Sequence, residues 1–124
     1  MSDETQVRVS RYLQGFREVA HKMSVYNEPF HNSLDEAVAI IEEAFASGHR
    51  LYVIGNGGSA AMANHFAGEL VSYFSSHSQQ PLSAISLASD AAILTSIAND
   101  TDPALIFSRQ VYAHGKMGDV LLAL

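Results

Sequence analysis

Leu51-Tyr52-Val53-Ile54-Gly55-Asn56-Gly57-Gly58-Ser59 decides the fold class. Its first four residues form an unbroken apolar run, which reads as a short strand buried on both faces. The glycines that follow let the backbone turn sharply and approach a ligand closely. A helical stretch then runs to about Phe74, with Ala60, Ala63, Ala67, Leu70 and Phe74 as its core-facing stripe. Strand, glycine turn and helix in that order begin an alternating α/β pattern.

Downstream the pattern continues. Leu82-Ser83-Ala84-Ile85-Ser86 reads as a second strand. Asp90 to about Ala98 reads as a helix, and Pro103 to about His114 as another, with Pro103 in its first turn. Gly118-Asp119 is a turn, and Val120-Leu121-Leu122-Ala123-Leu124 reads as a third buried strand. Upstream, Ser33-Leu34-Asp35-Glu36 has the form of a capping box that opens a helix. Leu34, Val38, Ile41 and Phe45 are its apolar stripe, and Gly48 stands where a left-handed C-terminal cap belongs. Further back, Val9, Leu13, Phe16, Ala20 and Met23 form an a/d stripe that Asn27-Glu28-Pro29 closes. That stripe suits packing on its own domain or on a partner subunit.

Strands alternating with helices predict a parallel sheet with right-handed crossovers. The expected organisation is one domain over residues 1–124, with a helical segment at 1–48 and the start of the sheet at 49–124. Ligands of such sheets bind beyond the carboxyl ends of the strands. Three strands are fewer than the usual five or six or so, and the chain stops where its third strand ends. The sequence is therefore expected to be the N-terminal portion of a larger domain, or to complete its fold through a partner.

The 124 residues are 48% hydrophobic, which fits a globular core. Seven Lys+Arg against thirteen Asp+Glu give a net charge of −6 and no field for nucleic acid or an anionic membrane. No apolar stretch approaches a membrane span, and the polar N-terminus is not a signal peptide. The absence of Cys excludes a disulfide scaffold and a thiol nucleophile, and suits a cytoplasmic protein.

The glycine turn ends at a helix N-terminus, whose free amides and dipole suit an anion or a polar sugar. Ser59 can cap that helix and also face a ligand. The spacing is neither Gly-x-Gly-x-x-Gly nor a nucleotide P-loop, and a tight turn without a ligand is the competing reading. His65 and Glu69, four apart, share one helix face. They suit two ligands of one zinc, an imidazole beside a carboxylate for proton transfer, or a plain surface pair. Two ligands do not complete a zinc site. Asn99-Asp100 can bond sugar hydroxyls, although from the residues alone a helix-terminal turn is the favoured reading. His21, His31, His49, His77 and His114 lack ligand-spaced partners and read as surface or loop residues. Met23, Met62 and Met117 read as core or gap fillers. No Gly-x-Ser-x-Gly elbow supports a serine hydrolase.

Gly55-Asn56-Gly57-Gly58-Ser59, His65-Phe66-Ala67-Gly68-Glu69-Leu70, Ile97-Ala98-Asn99-Asp100 and Gly118-Asp119-Val120-Leu121-Leu122 together resemble the sugar isomerase (SIS) domain family, and within it the phosphoheptose isomerases. The resemblance runs through the whole chain in order. It implies an α/β SIS-type sandwich with N-terminal helices, truncated after the third strand. It implies conversion of sedoheptulose 7-phosphate to D-glycero-D-manno-heptose 7-phosphate through an enediol, feeding lipopolysaccharide or another heptose-containing glycan. Asn56, Gly57, Gly58, Ser59, Glu69, Asn99 and Asp100 would then bind substrate. His65 and Glu69 would bind zinc and carry the proton chemistry, within a cytoplasmic homotetramer. The family's phosphate-binding loop, and a later Gln and His that complete the zinc site, have no counterparts up to Leu124. This chain alone is therefore expected to be a poor catalyst or inactive. Non-catalytic relatives suggest another role, binding a replication initiator or sensing a sugar phosphate. Such binding members tend to lack the glutamate that is present here as Glu69.

Overall fold

The computed structural model describes residues 14, 28–72 and 80–124. The a/d stripe from Val9 to Met23, together with Phe74, His21 and His77, lies outside the described residues. The chain divides into two compact units, Met1–Ala37 and Val38–Leu124, and the second holds the sheet.

Helix α1 spans Glu28–Ala46. It starts earlier than the expected cap at Ser33, which lies inside it. Pro29 does not break the helix because it sits in the first turn, where its fixed φ fits and its missing N–H is not needed. The far end follows the sequence. Gly48 adopts φ +77°, the N–H of Gly48 donates to Phe45 O and that of His49 to Ala44 O. These are the two bonds of a Schellman cap.

Strand β1 (Leu51–Ile54) is the centre of a three-stranded parallel sheet of order β2-β1-β3, with β2 at Ala84–Ser86 and β3 at Val120–Ala123. Helix α2 spans Gly58–Val71, α3 Ala91–Asp100 and α4 Ser108–His114. Side chains alternate across a strand, so Leu51, Val53, Ala84, Val120 and Leu122 share one face. On that face they pack with Ala63 and Ala67 of α2 and with Ile41 and Phe45 of α1. Leu51 and Val53 are wholly buried, each contributing roughly 1.5–3 kcal/mol. On the opposite face Tyr52 is buried, and its hydroxyl donates to the His114 carbonyl at 2.9 Å.

Three expectations change. β3 is not buried on both faces: it is an edge strand, and Leu121 and Leu124 are exposed. The helix expected from Pro103 to His114 is two pieces, a 3₁₀ turn at Pro103–Leu105 capped by Asp102 and then α4. Met62 and Met117 are exposed rather than core residues.

Candidate functional site

Gly55 and Gly57 shape the turn after β1. A Cβ on Gly55 would lie 2.6 Å from the backbone carbon and oxygen of Ser59, so only glycine lets the chain double back this tightly. Gly57 has φ +56° and is the N-cap of α2. Ser59 is therefore not the cap: its N–H donates to Asn56 O at 3.0 Å from inside the first turn. The N–H groups of Gly57 and Gly58 have no acceptor among the described residues. Asn56, Gly57 and Gly58 are exposed and Ser59 half-buried. The turn thus offers amides at the positive end of a helix dipole.

One face of α2 carries the titratable pair. Ala63 and Ala67 bury the inner face. His65 and Glu69 lie on the outer side, with Nδ1 and Oε1 3.9 Å apart. His65 is well exposed and Glu69 partly shielded. Both line a cavity of about 270 Å³ with Met62, Phe66, Leu70 and Leu124. Leu124 continues the ladder beyond β3, its N–H donating to Ile54 O at 3.0 Å. The cavity therefore sits at the carboxyl ends of β1 and β3. In the order β2-β1-β3 this is where the chain's connections change direction, the usual place for a ligand in an open parallel sheet.

The donor set here suits a metal in part. His65 and Glu69 are accessible and close enough for both to approach one cation, but no group of three His, Cys, Asp or Glu exists among the described residues. A zinc site takes three or four protein ligands.

Asn99 and Asp100 are the last residues of α3, inside the helix rather than after it. Asn99 Nδ2 donates to Asp100 Oδ1 at 3.1 Å, and Ser96 Oγ donates to Asp100 Oδ2 at 3.2 Å. Both residues are exposed, and neither lines the cavity of His65 and Glu69.

Other polar residues hold the framework through pairings that the sequence reading does not include. Ser86 Oγ donates to Asn64 Oδ1 at 2.6 Å, joining β2 to α2. Buried Gln110 donates to the Leu87 and Ile106 carbonyls. Asp119 accepts the N–H groups of Arg50 and Lys116 at 2.8 Å each, with His49 Nδ1 3.8 Å away. His49 is thus a half-buried partner of Asp119, not a free surface residue. Three of these ties cross 22, 23 and 69 residues of sequence, and no local spacing announces such pairings.

A family model described as the SIS domain matches residues 12–124. The chain belongs to the SIS domain family. Among curated relatives of this SIS domain, the phosphoheptose isomerase of Aromatoleum aromaticum is 50% identical over 88 residues, covering 71% of this chain and 44% of that protein. The phosphoheptose isomerase of Citrifermentans bemidjiense is 45% identical over 92 residues, covering 74% and 47%. The chain spans about half the length of the curated relatives it matches. A solved phosphoheptose isomerase from Neisseria gonorrhoeae superposes with TM-score 0.75 at 32% identity, over 96% of this chain and 59% of that one. One from Francisella tularensis gives 0.83 at 27% identity, over 99% and 61%. The parallel α/β SIS fold expected from the sequence is the fold of these structures over the shared length.

Proposed function

We propose that this SIS domain serves an aldose–ketose isomerase that converts sedoheptulose 7-phosphate to D-glycero-D-manno-heptose 7-phosphate. The observation that carries the reading is the His65–Glu69 pair, 3.9 Å apart on the wall of the cavity at the carboxyl ends of the strands. Phosphoheptose isomerases among the relatives support the choice of substrate.

In this reading Glu69 removes a proton from C1 of the ketose and returns it to C2, while the hydroxyl proton on O1 passes to O2. The carbonyl thereby moves from C2 to C1. General acid–base catalysis of this kind contributes about 10²–10⁴-fold. His65, beside the carboxylate, is placed to exchange the oxygen-bound proton. Asn56, Gly57, Gly58 and Ser59 hold polar groups of the sugar phosphate at the open helix end, and Asn99 and Asp100 bond its hydroxyls. His65 and Glu69 are also proposed as two ligands of a zinc ion, the rest coming from outside the described residues. Such an ion supplies polarisation of the substrate carbonyl.

No described helix is long and apolar enough to cross a membrane. A cytoplasmic homotetramer feeding lipopolysaccharide or a related heptose glycan is the setting proposed here. Exposed Met62 and Phe66 beside the cavity suit burial by a second subunit.

Deuterium exchange tests the chemistry with enough sensitivity for a slow catalyst. In D2O with zinc, the protein should introduce deuterium at C1 of sedoheptulose 7-phosphate, and Glu69→Gln should remove that exchange. Exchange that persists in Glu69→Gln contradicts the reading.

A further inference from the structure

Helix α2 carries His65 and Glu69, and the buried residues of its inner face are both alanines. These are Ala63 and Ala67, which present single methyl groups to β1 and β2, and half-buried Leu70 packs against the same core. Side-chain ridges set how a helix seats on its neighbour, and alanine makes shallow ridges. Its N-cap is Gly57, with no side-chain hydrogen bond to anchor the first turn.

A side-chain hydrogen bond ties the helix to β2, beside the backbone bond from the Leu82 N–H to Leu70 O at 3.0 Å near its far end. Ser86, the last residue of β2, is buried, and its hydroxyl donates to Asn64 Oδ1 at 2.6 Å. The same oxygen accepts the Ala88 N–H at 3.2 Å, and Ser89 Oγ donates to the Ser86 carbonyl. Ser86 therefore organises the turn that leads to Asp90, the N-cap of α3, whose far end carries Asn99 and Asp100. Asn64 adjoins His65 in sequence. The bond thus links the helix bearing the acid–base pair to the turn that launches the helix bearing the proposed sugar-binding residues.

We propose that Asn64 is a positioning residue, its bond to Ser86 setting the rotation of α2 and hence the direction of His65 and Glu69. This rests on the isomerase reading for its catalytic consequence, but not for its structural one. The hydroxyl proton is committed to Asn64, so the contact needs an acceptor at position 64. Aspartate retains one and leucine does not. Misplacing reacting groups by about 1 Å can lower turnover about 100-fold, so Asn64→Leu should reduce kcat by roughly 10–100-fold with KM little changed.

The deciding measurement is the set of amide residual dipolar couplings of residues 58–71, referred to those of β1. It is made on the unaltered chain and on Asn64→Leu, Asn64→Asp and Ser86→Ala. The account expects reoriented couplings in Asn64→Leu and in Ser86→Ala, and near-native couplings in Asn64→Asp. If Asn64→Leu fails to fold, Ser86→Ala and Asn64→Asp still decide. Native couplings in Ser86→Ala, or reoriented ones in Asn64→Asp, overturn the assignment. Should Glu69→Gln leave isomerisation intact, the isomerase reading fails while the couplings still judge Asn64 independently.

Discussion

The two ends of β1 are built from the same materials and used oppositely. At its amino end, Gly118 takes φ +94° and packs so closely on the His49 ring that a Cβ there would collide with it. Asp119 then places its two carboxylate oxygens on the N–H groups of Arg50 and Lys116. At the carboxyl end, Gly55 and Gly57 again make a turn that needs glycine, but the amides of Gly57 and Gly58 have no acceptor among the described residues and the pair His65–Glu69 lines a cavity. A histidine and a carboxylate lie just under 4 Å apart in both places, 3.8 Å at one and 3.9 Å at the other. What separates them is whether the surrounding polar groups already have partners within the chain. Satisfied groups hold structure, and open ones are available to a ligand.

Substitutions can break this contrast, and the largest effect falls at the open end. Glu69→Gln should lower isomerisation by about 10²–10⁴-fold while changing stability by no more than about 0.5 kcal/mol, because Glu69 anchors no described backbone group. Kinetics beside urea unfolding check both halves. Gly55→Ala should destabilise by about 1–3 kcal/mol, towards the upper end, since the clash is with the Ser59 backbone and has no flexible side chain to absorb it. Unfolding midpoints within error of the unaltered chain would show that the turn can relax.

Asp119→Ala should remove about 1–3 kcal/mol of stability through its two charge-assisted bonds, yet leave sugar-phosphate affinity unchanged. The Arg50 N–H above all, with help from the Lys116 N–H and His49, outweighs partial desolvation and holds this carboxyl below its ordinary 3.8. A carboxyl with a depressed folded value stabilises the protein above its unfolded value. Its contribution therefore disappears as pH falls from about 4 through the lower folded value. Unfolding from pH 6 to 2 should show that loss in the unaltered chain and a weaker one in Asp119→Ala. The smallest expected effect is that of Tyr52→Phe, roughly 0.5–1.5 kcal/mol for the bond to His114 O.

Much of this was legible in the sequence because it depends on local rules. The apolar run at Leu51–Ile54, the left-handed cap at Gly48 and the first-turn Pro103 each follow from a few neighbouring residues. The i, i+4 spacing of His65 and Glu69 likewise fixed their shared face. Expectations failed where two local signals competed or where a distant partner decided. Ser33 has the form of a cap, but Pro29 is equally at home in a first turn and the helix takes the earlier start. Val120–Leu124 has a buried strand's composition, but its position at the sheet edge leaves alternate residues exposed. Asn64, Gln110 and Asp119 carry no periodic signature, since their partners come from elsewhere in the chain.

The central claim is that the carboxyl end of β1 is the ligand-binding end. Titrating the 15N-labelled chain with sedoheptulose 7-phosphate, with the amide spectrum as readout, tests it most directly. The account predicts saturable shifts at Asn56–Ser59, around His65 and Glu69 and at Asn99–Asp100, with His49 and Asp119 unmoved. Shifts centred on His49 and Asp119, or none at millimolar sugar phosphate, would contradict it.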